Sequence, residues 1–405
     1  MALIVQKFGG SSVADANRIF NVAKIVTDTY QAGNEVVVVL SAQGDTTDDL
    51  IAKSQEINPA ASKRELDMLL STGEQISIAL VAMAIEKMGF PVISLTGWQV
   101  GMTTNSTYSS ARIRKIDGSR VRKELDKKRI VLVAGFQGIN QLGDITTLGR
   151  GGSDTTAVAL AIGLGADVCQ IYTDVDGVYT ADPRKEPGAQ KLKEITYDEM
   201  LELASLGAQV LHNRSVEMGK RYEVPIEVLS SFSRKPGTVV KEVANIEGLH
   251  ISGVAQDSNI VQVTLQALDK GPNAFSNLLS LMAKHKLVAD MVSLWESSPG
   301  ESNVAFTIPQ QALDLCLELL EHNQEQLGYR SLQVNDGFSK VSVVGAGMAE
   351  NPEVGAQMFQ ALYQAHIQTH QVVSSEIKIS VLVNKEDGDR AVHVIHERFL
   401  GLSFL

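Results

Sequence analysis

Cysteine, tryptophan and proline are scarce in this chain, with 2, 2 and 10 residues among 405. Two thiols cannot staple a secreted disulfide scaffold. Cys169, in an apolar strand-like run, and Cys316, on the apolar face of a helical one, read instead as buried thiols of a reducing compartment. Cationic charge is short as well: 36 Lys and Arg against 47 Asp and Glu give a net charge of -11, which disfavours nucleic acid or an anionic membrane as partner. The run from Ala157 to Ala166 is too short and too broken by glycine to cross a bilayer, and the N-terminal apolar stretch is too short for a signal peptide. The expected location is the cytoplasm. The eight histidines are scattered without zinc-ligand spacing, with His285, His322, His366, His370, His393 and His396 all in the second half. No Ser-His-Asp or Cys-His set is expected.

Glycine is well represented, with 33 residues, and two glycine turns carry the chemistry. One is Thr147-Leu148-Gly149-Arg150-Gly151-Gly152-Ser153-Asp154-Thr155-Thr156. Gly151 and Gly152 let backbone approach a phosphate or carboxylate closely, and a helix predicted to begin near Thr155 would aim free N–H groups at the same anion. Arg150 adds a planar fork for a carboxylate. A glycine-rich turn with a capping Ser/Asp pair would explain that segment alone. The other turn follows the strand-like Leu3-Ile4-Val5, where Lys7 precedes Gly9 and Gly10, and Ser11 or Ser12 is the expected N-cap of a helix over 12–31. Lys7 then stands at the carboxyl end of a strand, where α/β sheets hold ligands. Neither GxxxxGK[ST] nor GxGxxG is present in that turn.

Strand-like runs at 35–42, 91–97, 130–138, 167–175 and 225–232 alternate with helical patterns near 12–31, 73–88, 155–165 and 196–206. Such runs predict an α/β domain with a mostly parallel sheet covered on both faces. Thr196 three positions before Glu199 predicts a capping box, and the mixed run Arg120 to Arg129 predicts a solvated helix face. After about residue 245 the rhythm changes. The stretch 261–320 resembles 341–399 at an offset of roughly 80 residues, and each copy predicts a ferredoxin-like βαββαβ module. Val254 is placed to pair with the second copy, so that one module would be inserted in the other.

The segment Val5 to Ser12 together with Thr147 to Thr156 resembles the two signature loops of aspartate kinases in the amino-acid-kinase family. The resemblance continues through Val39-Leu40-Ser41-Ala42, Ser71-Thr72-Gly73-Glu74, the run Ile171 to Arg184, and Ser374 to Ser380, and so covers nearly the whole chain. It implies a three-layer α/β/α catalytic domain over 1–240 and two ACT modules over 250–335 and 336–405. The implied reaction is phosphorylation of the β-carboxylate of L-aspartate by ATP with Mg2+, opening lysine, threonine and methionine biosynthesis. Lys7 would neutralise phosphate oxygens, with Gly9, Gly10 and Ser11 donating backbone hydrogen bonds. Arg150 would hold the α-carboxylate of aspartate and Glu74 its ammonium, with Ser41, Thr47, Gly151, Gly152 and Ser153 lining the pocket. Asp154 would act through magnesium or by orienting Lys7. Thr173, Asp174, Tyr179, Asp182, Arg184, Gln209 and Val210 match the nucleotide segment, although a plain turn after a strand would also account for Asp174, and a first-turn dipole partner for Glu74.

In the second half, the resemblance implies an effector such as lysine or threonine at Asp269, Asn273, Ala274, Asp290, Val354, Gln368, Thr369, Ser375 and Glu376, and a homodimer through the ACT modules. Departures are local. Gln209 stands where the family usually has a basic residue, Asn213 where it has proline, and Leu229 where arginine is frequent. Asp269-Lys270-Gly271-Pro272 replaces the usual Asp-Lys-Pro-Gly, which moves a fixed φ within the effector loop. No methionine lies between Met218 and Met282 to start a separate regulatory subunit. A relative acting on another acid, carbamate or UMP would share the loops but leave the repeats unexplained. A silent amino-acid sensor would be expected to lose Lys7 or Asp154.

Overall fold

A computed structural model describes the chain apart from residues 207–209, 243–249, 269–271, 299–300, 349 and 402–405. It divides into two compact units, Met1–Tyr179 with Lys191–Ile246, and Thr180–Gln190 with Glu247–Leu405. The segment Thr180–Gln190, inside the catalytic stretch expected from sequence, groups with the second unit.

The first unit contains strands β1 (Leu3–Phe8), β2 (Glu35–Leu40), β3 (Val92–Leu95), β4 (Met102–Thr104), β5 (Ile113–Ile116), β6 (Ile130–Ala134), β7 (Gln137–Ile139), β8 (Ile145–Thr147), β9 (Val168–Thr173), β10 (Glu194–Ile195), β11 (Ile226–Ser230) and β12 (Thr238–Val240). Its main sheet runs β10-β12-β11-β9-β1-β2-β6-β3, and a small sheet runs β5-β4-β7-β8. Among the described residues of the main sheet, only the β11–β12 pairing is antiparallel. The sequence of β2, Glu-Val-Val-Val-Val-Leu, shows why: it has no polar alternation and is buried on both sides. Val36, Val38 and Leu40 join a core with Ile19, Val22 and Val26 of the helix Ala16–Gln31 and Ile78, Val81 and Ile85 of the helix Thr72–Lys87. Val37 and Val39 are equally buried outside that cluster. There the helix Gly152–Leu164 contacts β1, β2 and β9, and ten consecutive residues from Gly152 are buried, as expected of a core helix.

Three local expectations are corrected. Ser11 and Ser12 do not cap the first helix: Gly10–Val13 is a 3-10 turn, and the Asp15 side chain accepts from the Arg18 N–H at 2.9 Å. The helix predicted near Thr155 begins at Gly152, because Gly151 adopts φ 67° and ends the loop earlier. Glu124, read within a solvated face, is 1% exposed and gathers Arg120, Lys127 and Arg129 at 2.8–3.2 Å. The Thr196–Glu199 capping box is present as predicted.

The second unit contains β13 (His250–Asp257), β14 (Ile260–Leu268), β15 (Asp290–Ser298), β16 (Glu301–Pro309), β17 (Ser331–Asn335), β18 (Phe338–Ala346), β19 (Thr369–Ser374) and β20 (Lys378–Asn384). They form two four-stranded sheets, β15-β16-β14-β17 and β13-β18-β20-β19. One packs on the helices Pro272–Lys284 and Leu313–His322, the other on Glu353–Gln364 and Gly388–Leu400. Val254 lies opposite Val343, so β13 completes the second sheet and the first module is inserted behind it.

Candidate active site

The site starts at the end of β1, between β2 and β9, where the carboxyl ends of three parallel strands converge. Lys7 Nζ lies 2.7 Å from Asp154 Oδ1, with each side chain 12% exposed. The turn after it is built on close approach: a Cβ on Gly10 would sit 2.6 Å from the Ala42 carbonyl oxygen, and one on Gly9 would sit 3.6 Å from Lys7 Nζ. The Gly44 N–H donates to the Gly10 carbonyl at 3.1 Å, fastening the turn to the segment after β2. Ser11 is exposed.

The second glycine turn is held from three directions. Asp67, fully buried in the helix Lys63–Leu70, accepts hydrogen bonds of 2.8–3.1 Å from the backbone N–H and hydroxyl of both Ser109 and Thr147. Arg214 Nη1 donates to the Leu148 carbonyl at 3.2 Å. A Cβ on Gly151 would lie 2.2 Å from His212 Cγ, and one on Gly152 would lie 2.7 Å from Phe136 Cδ2. The Phe136 N–H donates to Thr156 Oγ1 at 3.1 Å. The helix therefore begins at a fixed place, with Ser153 and Asp154 buried in its first turn and its free N–H groups available to an anion. Arg150 is exposed and has no ion-pair partner among the described residues.

Glu74 sits in the first turn of the helix Thr72–Lys87 and is 3% exposed. The Ala42 N–H donates to its Oε1 at 3.3 Å, while Oε2 has no hydrogen-bond partner. Burial pushes its carboxyl up from 4.5 to about 7, partly offset by the backbone N–H groups of Glu74 and Ala42. Gly73 allows this approach, since a Cβ there would meet Ala42 Cβ at 2.8 Å. The Ser41 N–H donates to the Phe8 carbonyl at 3.2 Å, and Thr47 lies in the first turn of the helix Thr46–Ile57. Gly10, Ser41 and Glu74 are thus gathered on one short segment around Ala42.

Thr173 ends β9, and its hydroxyl accepts from the Val175 N–H at 3.0 Å beside exposed Asp174. Ser231 links this segment to the first turn: its N–H donates to the Thr173 carbonyl at 3.0 Å and its hydroxyl meets Ser12 Oγ at 2.7 Å. Tyr179 donates its hydroxyl to Asp176 at 2.7 Å. Asp182 and Arg184 belong to the second unit, where they pair at 2.8 Å. Val210 is half-buried in a turn, and Gln209 lies outside the described residues.

Of the effector candidates, Ala274 and Val354 are buried in the two module cores, and Asn273 is in the helix Pro272–Lys284. Asp290 pairs with Lys340 at 2.7 Å; burial raises its carboxyl, but the ammonium overrides this and holds it below the usual value. Gln368, Ser375 and Glu376 are exposed and Thr369 half-buried, at the two ends of β19. Asp269 lies outside the described residues.

Sequence reading missed Asp67, His212 and Arg214. Asp67 left a trace, as a carboxylate among apolar residues in Leu66-Asp67-Met68-Leu69-Leu70. His212 and Arg214 follow a loop far along the chain and reveal their role only through tertiary contact.

The arrangement joins an anion cradle, a paired ammonium and a desolvated carboxylate. A model of the amino acid kinase family matches residues 2–230, and one of the ACT domain matches residues 341–399. An aspartokinase of Bacillus sp. (strain MGA3) is 46% identical over 400 residues, covering 98% of this chain and 97% of its own. The crystal structure of E. coli aspartokinase III in complex with aspartate and ADP, its R-state, is similar with a TM-score of 0.83 at 26% identity, covering 98% of this chain and 99% of that one. The same enzyme with lysine and aspartate, its T-state, gives 0.78 at 26% identity with the same coverage.

Replacing Asp67 by alanine strands the buried donors of Thr147 and the half-buried ones of Ser109. It is expected to cost about 3 kcal/mol or more and to lower kcat, since unmet buried donors cost about 1–3 kcal/mol each. Thermal unfolding alongside initial rates checks both; wild-type stability would show that water replaces the carboxylate freely.

Proposed function

This chain belongs to the aspartokinase family, and from that premise we propose how its residues divide the transfer of the ATP γ-phosphoryl group to the β-carboxylate of L-aspartate. The reaction opens lysine, threonine and methionine biosynthesis. A β-carboxylate oxygen forms a bond to the γ-phosphorus while the bond to the β,γ-bridging oxygen breaks, and ADP leaves with the electron pair. The carboxylate is already ionised near neutral pH, so no general base is required. Catalysis reduces to aligning two anions and neutralising the charge between them.

Lys7 supplies that neutralisation at the phosphates, and the Lys7–Asp154 pair of 2.7 Å is the observation that carries the reading. It favours the orienting role for Asp154. Magnesium fits the donor set as a cation carried chiefly by the phosphates: Asp154 is a single carboxylate, and no cluster of three potential ligands exists among the described residues. When bound, it would supply positive charge to the nucleotide phosphates. Gly9, Gly10 and Ser11 donate backbone N–H groups to the nucleotide phosphates. Thr173, Asp174, Tyr179, Gln209 and Val210 serve the nucleoside end.

Arg150, without an ion-pair partner among the described residues, takes the α-carboxylate of aspartate, while Gly151, Gly152 and Ser153 supply backbone around it. Glu74 takes the ammonium group through its unpartnered Oε2. Ser41 and Thr47 complete the pocket. Lysine or threonine acts on the ACT modules. The chain forms a homodimer there, through the edge strand β15, where Val292 and Leu294 are exposed. The buried free thiols of Cys169 and Cys316 suit a cytoplasmic protein.

Lys7→Ala is expected to lower kcat by about 10³-fold or more in a coupled ADP-release assay with aspartate; a loss below tenfold would remove Lys7 from the transfer. Glu74 gives a pH signature. Its carboxyl in the free enzyme is raised to about 7, so below that pH aspartate binding must first expel a proton. The KM for aspartate should therefore rise about tenfold per pH unit below 7 and level off above it. In Glu74→Gln the KM should be high and flat between pH 6 and 8, and a wild-type profile in that variant would place the ammonium elsewhere. Leu294→Asp is expected to convert the dimer to monomer by light scattering, whereas an unchanged mass would assign the assembly to another surface.

A further inference from the structure

We propose that the catalytic unit carries a second anion site, distinct from the ATP cradle, for a phosphate-bearing small molecule with an apolar portion, and that its occupant acts on the second glycine turn through Arg214. The site is a cavity of about 440 Å³ between the edge strand β5 and the helices Gly152–Leu164 and Asn213–Arg221. That size suits a small organic ligand. Arg112, Arg114, Lys115, Arg214 and Arg221 line it, against Glu217 as the one lining carboxylate. So large a local excess of positive charge runs against the net charge of -11 carried by the chain. None of the five cations makes an ion pair among the described residues, whereas Arg64, Arg122 and Arg129 all do.

A charged edge strand protects a sheet from pairing with another chain, and that alone would explain Arg114 and Lys115. It does not explain why Arg214 and Arg221, from a separate helix, converge on the same space. Four guanidinium groups around one cavity match phosphate oxygens, which accept their planar forks two bonds at a time. Between them the lining is apolar, with Ile113, Ile116, Ile162 and Met218, and a half-exposed Tyr222 ring lies 5.7 Å from the Arg221 guanidinium. A bare inorganic ion would leave that surface uncovered.

The cavity is separate from the transfer centre. It uses Ala159, Ile162 and Gly163 of the helix that holds Asp154 in its first turn. Gly163 is nine residues on, roughly 14 Å along the axis at about 1.5 Å per residue. Arg214 is the link, because it lines the cavity and also donates to the Leu148 carbonyl, two residues before Arg150. Burial first, and the like charge of Arg112 second, hold its guanidinium below the usual value. An anion between Arg112 and Arg214 relieves that repulsion and changes how firmly Arg214 holds the loop that carries Arg150.

The test uses the full chain with its catalytic site saturated by ADP, magnesium and aspartate, titrated by calorimetry at constant ionic strength with inorganic pyrophosphate and, separately, with GTP. Binding is read directly and does not depend on the residue roles proposed for catalysis. GTP is expected to bind at one site per chain and more tightly than pyrophosphate, about tenfold or more weaker in the double variant Arg114→Gln/Arg221→Gln and tighter in Glu217→Gln. Basal kcat in the double variant should stay at the wild-type value, which also reports correct folding, and the probe should shift the aspartate KM in the wild type alone. Tighter binding of GTP assigns the apolar lining to a nucleoside. No binding of either probe to the loaded wild type, or equal binding by the double variant, overturns the proposal.

Discussion

The ion pair between Lys7 and Asp154 is the constraint on which the catalytic unit depends. It joins the end of the central strand β1 to the first turn of the buried helix Gly152–Leu164, two elements far apart in sequence. With both side chains 12% exposed, neither charge is well hydrated, and losing one partner would cost about 3–5 kcal/mol by leaving the other buried and unmatched. Packing brings the pair together: β1 lies between β2 and β9 and the helix lies against all three strands. In the transfer proposed above, an ammonium fixed in this way would need little reorganisation when phosphate charge shifts toward it, which is the form of stabilisation that phosphoryl transfer rewards.

Around that pair, glycine serves proximity more than flexibility. Gly10 lets one turn rest against the Ala42 carbonyl, and Gly73 brings the helix bearing Glu74 against Ala42 itself. The same short segment around Ala42 therefore carries the first glycine turn on one side and buried Glu74 on the other. Gly151 differs, since its φ of 67° sets where the helix starts as well as making room for His212.

Much of this was legible in the sequence because local rules and tertiary demands agree there. The unbroken apolar run of β2 could only be a buried parallel strand, and Thr196 with Glu199 could satisfy each other only as a capping box. The expected pairing of Val254 with the second module is present, opposite Val343. What was illegible depended on contacts that no local pattern encodes. Asp15 displaced Ser11 and Ser12 as cap because Gly10 had to stay against Ala42, which drew those residues into a 3-10 turn. Glu124 looked solvated because its neighbours are cations, yet those cations are what allow it to be buried. Asp67 lies in one helix but acts on two loops, 42 and 80 residues away.

With Arg150 and Glu74 in the roles proposed above, selection of a zwitterion would follow from placing opposite charges at unequal depth. Arg150 is exposed, and in its proposed role it would stay hydrated until a carboxylate arrives and meet the substrate early, at little desolvation cost. Glu74 is almost fully buried with one oxygen unpartnered, so its ionised form is costly until an ammonium group is delivered. A dicarboxylic acid without an amino group would leave that carboxylate unsatisfied and would bind against its desolvation penalty. An amine without an α-carboxylate would lose the fork that guides it in. On that proposal the depth of Glu74 would turn a general anion cradle into a filter for amino acids, with the cost of burying it recovered only when the correct substrate is bound.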